Sequence, residues 1–284
     1  MNIDRVCWNI TSRCNDNCSF CFRDKESKSI SIENALKIID NLCNSGIKHI
    51  AFSGGEALLY NKIFDLLDYA HGKKLEITLI SNGILLDNVT IDKLEKSVNW
   101  VAVPIDNLKN VMMCGRNDKH MDNIDRCLKY IETNNINISV KINTVLTSKN
   151  YNYLEEIYTY ISRFNCIKRW NIFEFIDIRG NAVDNSKVFR LTSEQYAYAK
   201  KCLKKINIDK RLRVTLKSRE TLLSSYIVIN PMGLLMLYNE DSKQEVVLGD
   251  LNQEELKIMM NRNIDRYDLE RYKKRIQNEK VIFV

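Results

Sequence analysis

The sequence predicts an α/β protein built on a parallel sheet with helices laid over it. Three observations carry this. Short β-type runs alternate with amphipathic helical patterns through the first two-thirds of the chain, and no repeats or Gly/Ser linkers interrupt them. After about residue 208 the alternation gives way to a hairpin-like stretch and a basic tail.

In order, the strand candidates are RVCWNIT, KHIAFS, EITLISN, WVAVPID, ISVKINTVL and RWNIFEF. Helical patterns fall between and after them, near 31–45, 61–71, 90–97, 121–134, 152–163 and 192–205. The first shows the logic: Ser31 can cap its start, Ile32, Ala35, Leu36, Ile39, Leu42 and Cys43 recur at helical spacing, and Gly46 ends it. Successive βα units joined by right-handed crossovers give a parallel sheet, either doubly wound or closed toward a barrel. In both, residues at the C-terminal ends of the strands line the site. YIVINPMGLLMLYN then reads as two strands around a Pro-Met-Gly turn, followed by VVLGD and a polar helix near 252–261. We expect residues 1–207 to form the main body and 208–284 an extension that packs on it and closes the site. The apolar end of the tail, RYKKRIQNEKVIFV, is expected to dock on the body or on a partner.

A chain of 284 residues that is 45% hydrophobic and 28% charged is ordinary for a soluble protein. No apolar run approaches the roughly 20 residues a membrane span needs, and MNIDRVCWNIT lacks a signal-peptide layout. Nine cysteines without a secretory signal point to a reducing compartment and a cytoplasmic protein. The net charge of +7 would suit a polyanionic ligand such as nucleotide phosphates or nucleic acid. In a chain rich in Lys, Asn and Ile it reads first as charge spread over solvated helix faces, and no arginine-rich tail or basic run interleaved with aromatics appears. Neither nucleic acid nor a membrane is expected as a partner.

RCNDNCSFCF places Cys14, Cys18 and Cys21 on the loop that leaves the first strand. A structural zinc site wants four ligands, usually two pairs, and no second pair of this spacing follows. A redox dithiol at Cys18 and Cys21 leaves Cys14 without a role. Three thiolates suit an iron–sulfur cubane whose fourth iron takes a non-protein ligand.

In these residues the sequence resembles the radical S-adenosylmethionine (SAM) superfamily, including the aromatic Phe20 before the third cysteine. The resemblance implies one 4Fe–4S cluster at Cys14, Cys18 and Cys21, SAM as second cofactor, and a partial (β/α)6 barrel with a C-terminal extension containing a β-hairpin. Gly54, Gly55 and Glu56 match the family's Gly-Gly-Glu, two glycines for close backbone approach and a carboxylate for the SAM ammonium. Ser81, Asn82 and Gly83 match the ribose and adenosine side, and Asp106 ends the fourth strand. Ala57 replaces the usual proline after the glutamate.

Later segments are similar to the viperin family of nucleotide dehydratases. The cluster runs straight into Phe22. VMMCGRN carries Gly115 and Arg116, whose arginine meets the SAM carboxylate in that family. VKINTVLTSKN aligns Lys141 and Asn143 with nucleotide-contacting positions, KRWNIFEF places Arg169 as a phosphate contact, and the Ser-Tyr hairpin puts Tyr226 near the reacting sugar. Asn171 stands where a lysine is common, and Asn117 where a glycine is. Lys141 lies mid-strand between apolar residues, where alternation points it into the barrel, and a buried lysine is costly without an anion. Alternatively, it pairs with a core carboxylate or lies on the outer face. Lys25 and Lys28 either clamp phosphates from the rim or sit on a solvated loop. Arg169 could instead cap a strand, and Tyr226 could be a packing residue. The resemblance implies an antiviral-type lyase converting a nucleoside triphosphate to its 3′-deoxy-3′,4′-didehydro product, with Lys141 and Tyr226 catalytic. It implies a monomer served by a flavodoxin- or ferredoxin-type electron donor. The alternatives are another radical SAM reaction on a peptide or small molecule, and a non-enzymatic metal-binding protein. The lack of a second cysteine group for auxiliary clusters speaks against the peptide version.

Overall fold

The computed structural model describes residues 3–23, 29–109, 116, 118–206, 208–223, 228–239 and 244–263. Its strands are β1 (Arg5–Thr11), β2 (His49–Gly54), β3 (Glu76–Ile80), β4 (Trp100–Pro104), β5 (Ser139–Leu146), β6 (Ile167–Glu174), β7 (Arg213–Lys217), β8 (Val228–Ile229), β9 (Leu234–Asn239) and β10 (Gln244–Asp250). The helices are α1 (Ile32–Asn44), α2 (Ile63–Gly72), α3 (Asn88–Leu94), α4 (His120–Thr133), α5 (Leu154–Ile161), α6 (Asn181–Asp184), α7 (Ser186–Phe189), α8 (Ser193–Lys205), α9 (Arg219–Leu222) and α10 (Leu256–Arg262). The six strands and six helices expected from the first two-thirds of the sequence are all present, with ends moved by at most three residues.

All ten strands belong to one sheet, in the order β10-β9-β8-β1-β2-β3-β4-β5-β6-β7. Neighbours from β8 through β1 to β7 are parallel, while β9 and β10 return antiparallel at the edge. This is a partial (β/α)6 barrel carried on by one further parallel strand and by the C-terminal strands, which add to the edge of β1.

Alternation sorts each strand into two faces. Trp8, Ile10, Ile50, Phe52, Ile77, Leu79, Val103, Ile142, Trp170, Ile172 and Val214 are buried against the helices and form the core. The opposite, inner face carries Cys7, Asn9, Thr11, Ser53, Thr78, Lys141, Asn143, Arg169, Asn171, Arg213 and Thr215. Barrel interiors are usually filled by branched apolar side chains. A polar interior therefore marks this as the working face of the sheet.

The C-terminal segment is tied to the first βα unit. The Ile30 amide donates to the Pro231 carbonyl at 2.8 Å, in the turn between β8 and β9. Asn41 of α1 donates to the carbonyls of Leu251 and Glu254 and accepts from the Leu256 amide. Among the described residues no helix is long and apolar enough to cross a membrane.

Candidate active site

A cavity of about 470 Å³ opens at the C-terminal ends of the strands. Its wall includes Thr11 and Ser12 from the end of β1, Gly54 and Gly55 after β2, Ser81 and Asn82 after β3, Pro104 from β4, Asn143 and Val145 from β5, and Phe173 from β6. Asn230, Met236, Tyr238 and Glu245 close it from the hairpin side. Cys14, Cys18 and Cys21 all face this space, with Phe20 and Arg116 beside them.

Each thiol sits among N–H donors. The Cys14 Sγ accepts from the Asp16 amide at 3.4 Å and from Asn82 Nδ2 at 3.7 Å. Arg116 Nη1 donates to the Cys18 Sγ, and the Arg23 amide to the Cys21 Sγ, each at 3.4 Å. Burial pushes the Cys18 thiol up to about 12 despite the opposing charge of Arg116, and it raises Cys14 as well. A bound cation would offset that desolvation for the Cys14 and Cys18 thiolates. Among the described residues no three His, Cys, Asp or Glu side chains converge on one metal ion. Three thiols spread around one cavity, each with its own donor, fit a cluster that offers a separate iron to each sulfur.

The cysteine loop is held from two sides. Gly54 has φ +137°, and a Cβ there would lie 2.2 Å from the Thr11 carbonyl oxygen. A Cβ at Gly55 would lie 2.2 Å from the Arg13 carbonyl oxygen. The glycines therefore let the loop after β2 approach the backbone that leads into the cysteine loop. From the other side, the segment after β6 satisfies the loop's carbonyls. Asn181 Nδ2 donates to the Cys18 carbonyl, Asn185 Nδ2 to that of Ser19, the Ala182 amide to that of Cys21 and Arg179 Nε to that of Phe22. Arg179 also pairs with Glu245 of β10. Neither Arg179 nor Asn181 and Asn185 was anticipated, although a Gly/Asn-rich run directly after a strand was the available signal.

Of the residues expected to hold SAM, Phe20, Gly54, Gly55, Ser81, Asn82 and Arg116 line the cavity, whereas Glu56 and Asp106 do not. Glu56 is fully buried, accepting from the amides of Leu58 at 3.2 Å and Asn82 at 2.7 Å. Burial raises its carboxyl pKa against those two donors. Its observed role is to tie the loop after β2 to the loop after β3. Asp106 takes Nε and Nη2 of Arg116, both at 2.7 Å, and accepts the Val145 amide with its other oxygen. Burial opposes the charge on Arg116, but Asp106 and Cys18 more than hold it, so its pKa is raised. The guanidinium is thereby fixed beside Cys18 and 5.2 Å from the Phe20 ring centroid.

Among the expected substrate residues, Asn143 lines the cavity. Lys141 and Arg169 share its inner face two residues deeper and are paired with each other in register. The Lys141 Nζ donates to the Thr78 Oγ1 at 2.8 Å, and both cations flank the Trp100 ring, at 4.4 and 4.8 Å. Lys141 is 7% exposed, so it is turned inward, as alternation required. Asn171 bonds to Asn143 at 3.0 Å instead of facing the cavity. Lys25, Lys28 and Tyr226, like the basic-to-apolar tail, lie outside the described residues.

Comparison with known proteins bears on this geometry. The radical SAM superfamily profile matches residues 8–161. An S-adenosylmethionine-dependent nucleotide dehydratase from Lacinutrix mariniflava is 24% identical over 81% of this chain and 50% of its own length. A GTP 3′,8-cyclase from Clostridium perfringens is 29% identical over 51% of this chain and 47% of its own. The chain thus spans about half the length of each of these relatives. The crystal structure of Streptococcus suis SuiB bound to S-adenosylmethionine superposes with a TM-score of 0.70 at 17% identity, covering 95% of this chain and 67% of SuiB, a likeness of fold.

Proposed function

The chain belongs to the radical SAM superfamily, and from that premise we propose that it is a viperin-like nucleotide dehydratase. Its substrate would be a ribonucleoside triphosphate, which loses its 4′ hydrogen and 3′ hydroxyl to give a 3′-deoxy-3′,4′-didehydro nucleotide. The observation that carries this reading is the polar inner face across the cavity from the thiols. Asn143 stands in the wall, and Lys141 and Arg169 lie in register beneath it. Lys141, buried, and Arg169, half-buried, put positive charge on adjacent strands of that face, which an anionic ligand would complement. A triphosphate supplies one, whereas a neutral peptide does not. Relatives named for nucleotide dehydration and for GTP cyclisation agree with a nucleotide.

Cys14, Cys18 and Cys21 would hold a 4Fe–4S cluster which, with SAM on its open iron and an electron from a flavodoxin- or ferredoxin-type donor, supplies a 5′-deoxyadenosyl radical. The chain's own work is placement. Asn82 and Arg116 steady the sulfurs and frame the SAM side of the cavity. Glu56 and Asp106 fix those two groups in turn. Asn143, with Lys141 and Arg169 behind it, would hold the phosphates or sugar so that C4′ faces the cysteine end, the orientation effect that speeds reactions between held partners. Phe20, Phe173 and Val145 keep water from the reacting carbon.

The test is incubation of the reconstituted, reduced protein with SAM and each of the four ribonucleoside triphosphates. One of them should raise 5′-deoxyadenosine formation and yield a product lighter by one water. Formation of 5′-deoxyadenosine that is indifferent to every nucleotide would remove the proposal.

A further inference from the structure

Three polar side chains run side by side across the inner face of the barrel. Asn143 on β5 is in register with Asn171 on β6, and Asn171 with Thr215 on β7. The Thr215 hydroxyl donates to Asn171 Oδ1 at 3.0 Å, and Asn171 Nδ2 donates to Asn143 Oδ1 at 3.0 Å. Thr215 is buried, Asn171 is half-buried, and of the three Asn143 alone forms part of the cavity wall. A carboxamide has a donor end and an acceptor end, and rotation about its last torsion can offer either to a ligand. Here the acceptor end of Asn143 is engaged by Asn171, and that of Asn171 by Thr215.

We propose that Thr215 and Asn171 are positioning residues that set the Asn143 carboxamide with its N–H donors toward the cavity, so that the group recognised there is an acceptor oxygen of the nucleotide. This rests on the nucleotide reading above and deepens it. The layer two residues deeper carries Lys141, Arg169 and Arg213 in register on the same three strands. That row favours a negatively charged acceptor, which makes a phosphate oxygen the fitting partner. A lysine at position 171 would touch an anion directly. An asparagine there acts through its neighbour instead.

Thr215→Val keeps the shape of the side chain and removes the donor that fixes Asn171, whereas Thr215→Ser keeps the donor. Two readouts are taken on the reconstituted enzyme: the Kd of each ribonucleoside triphosphate with SAM but without reductant, and kcat and KM under turnover. Thr215→Val should weaken nucleotide binding and raise KM by about tenfold, the size of one hydrogen bond, while kcat changes less than KM. Thr215→Ser should stay within about twofold of the wild type, and both variants should still unfold cooperatively, Thr215→Val at a somewhat lower temperature. Unaltered Kd and KM in Thr215→Val would overturn the relay, and so would an equal loss in Thr215→Ser. A wild-type protein that binds nucleotide without dehydrating it would sink the dehydratase reading alone, and the relay would then stand or fall on Kd. A wild-type protein that binds no nucleotide overturns both.

Discussion

Gly54 and Gly55 show how single residues set the site. With a Cβ only 2.2 Å from a backbone carbonyl oxygen at either position, relief requires the cysteine loop itself to move. Gly54 adds a positive φ that an alanine resists. We expect Gly54→Ala and Gly55→Ala each to cost about 2–4 kcal/mol, seen as a melting temperature lower by roughly 5–10 °C, and to reduce the iron retained after reconstitution. Gly72, with open space around it, supplies the control. Gly72→Ala should melt at or slightly above the wild type. Equal behaviour of all three variants would mean that the close approach at the loop has no energetic consequence. Glu56 is a related case. Its motif suggests a ligand contact, yet both oxygens are occupied by backbone amides, so Glu56→Gln should disturb the Ser81–Asn82 loop before it disturbs anything bound.

At the scale of elements, α4 is docked by its first residue. His120 is buried, and its Nε2 meets the carbonyl of Pro104, the last residue of β4, at 3.0 Å. Burial, reinforced by the nearby Arg116 charge and only partly opposed by Asp106 and Asp16, lowers its pKa from 6.5 to about 4. The folded state thus refuses a proton that the unfolded chain accepts below 6.5. The contribution is whole above that value and is lost progressively as pH falls toward 4. Between pH 7 and pH 5 the loss is about 2 kcal/mol. His120→Gln should flatten this part of the stability curve, measured by denaturant unfolding at both pH values; an unchanged slope would assign the acid sensitivity elsewhere. Much of the element plan was legible in the sequence because apolar residues recur at period 2 or 3.6 along β1 to β6 and their helices. Strand β7 was not. Arg213–Lys217 is five residues long, sits in a Lys/Arg-rich stretch, and turns its charged side chains inward, so its alternation resembles a polar loop. For the site, the three cysteines and the motif loops could be read because their spacing is local. The Asn143–Asn171–Thr215 chain and the grip of Asn181 and Asn185 on the cysteine loop join residues far apart in sequence, and strand register alone brings them together.

For the whole molecule, the consequence of curvature is that opposite parts of one sheet meet over the cavity. β1 and β6 are separated by four strands in the sheet order, yet the loop leaving β1 is bonded along its carbonyls to the segment leaving β6. β10, at the far edge, reaches the same place through Glu245 and its ion pair with Arg179, and Arg179 donates to the Phe22 carbonyl at 2.6 Å. One guanidinium therefore links the cysteine loop, the end of β6 and the C-terminal strands, and it does so at the cavity rim. Both partners of the pair are largely buried, which lifts it above the negligible value of most exposed pairs. We expect Arg179→Ala and Glu245→Gln each to lower stability and to speed the bleaching of the reconstituted cluster in air, because the rim opens in both. The double variant should be little worse than Arg179→Ala, giving a coupling energy of about 1 kcal/mol in a double-mutant cycle. Strictly additive losses would show that Arg179 holds the cysteine loop and Glu245 holds β10 as separate matters. Non-additivity in both stability and bleaching would mean that the C-terminal strands and the cysteine loop close over the cavity as one unit.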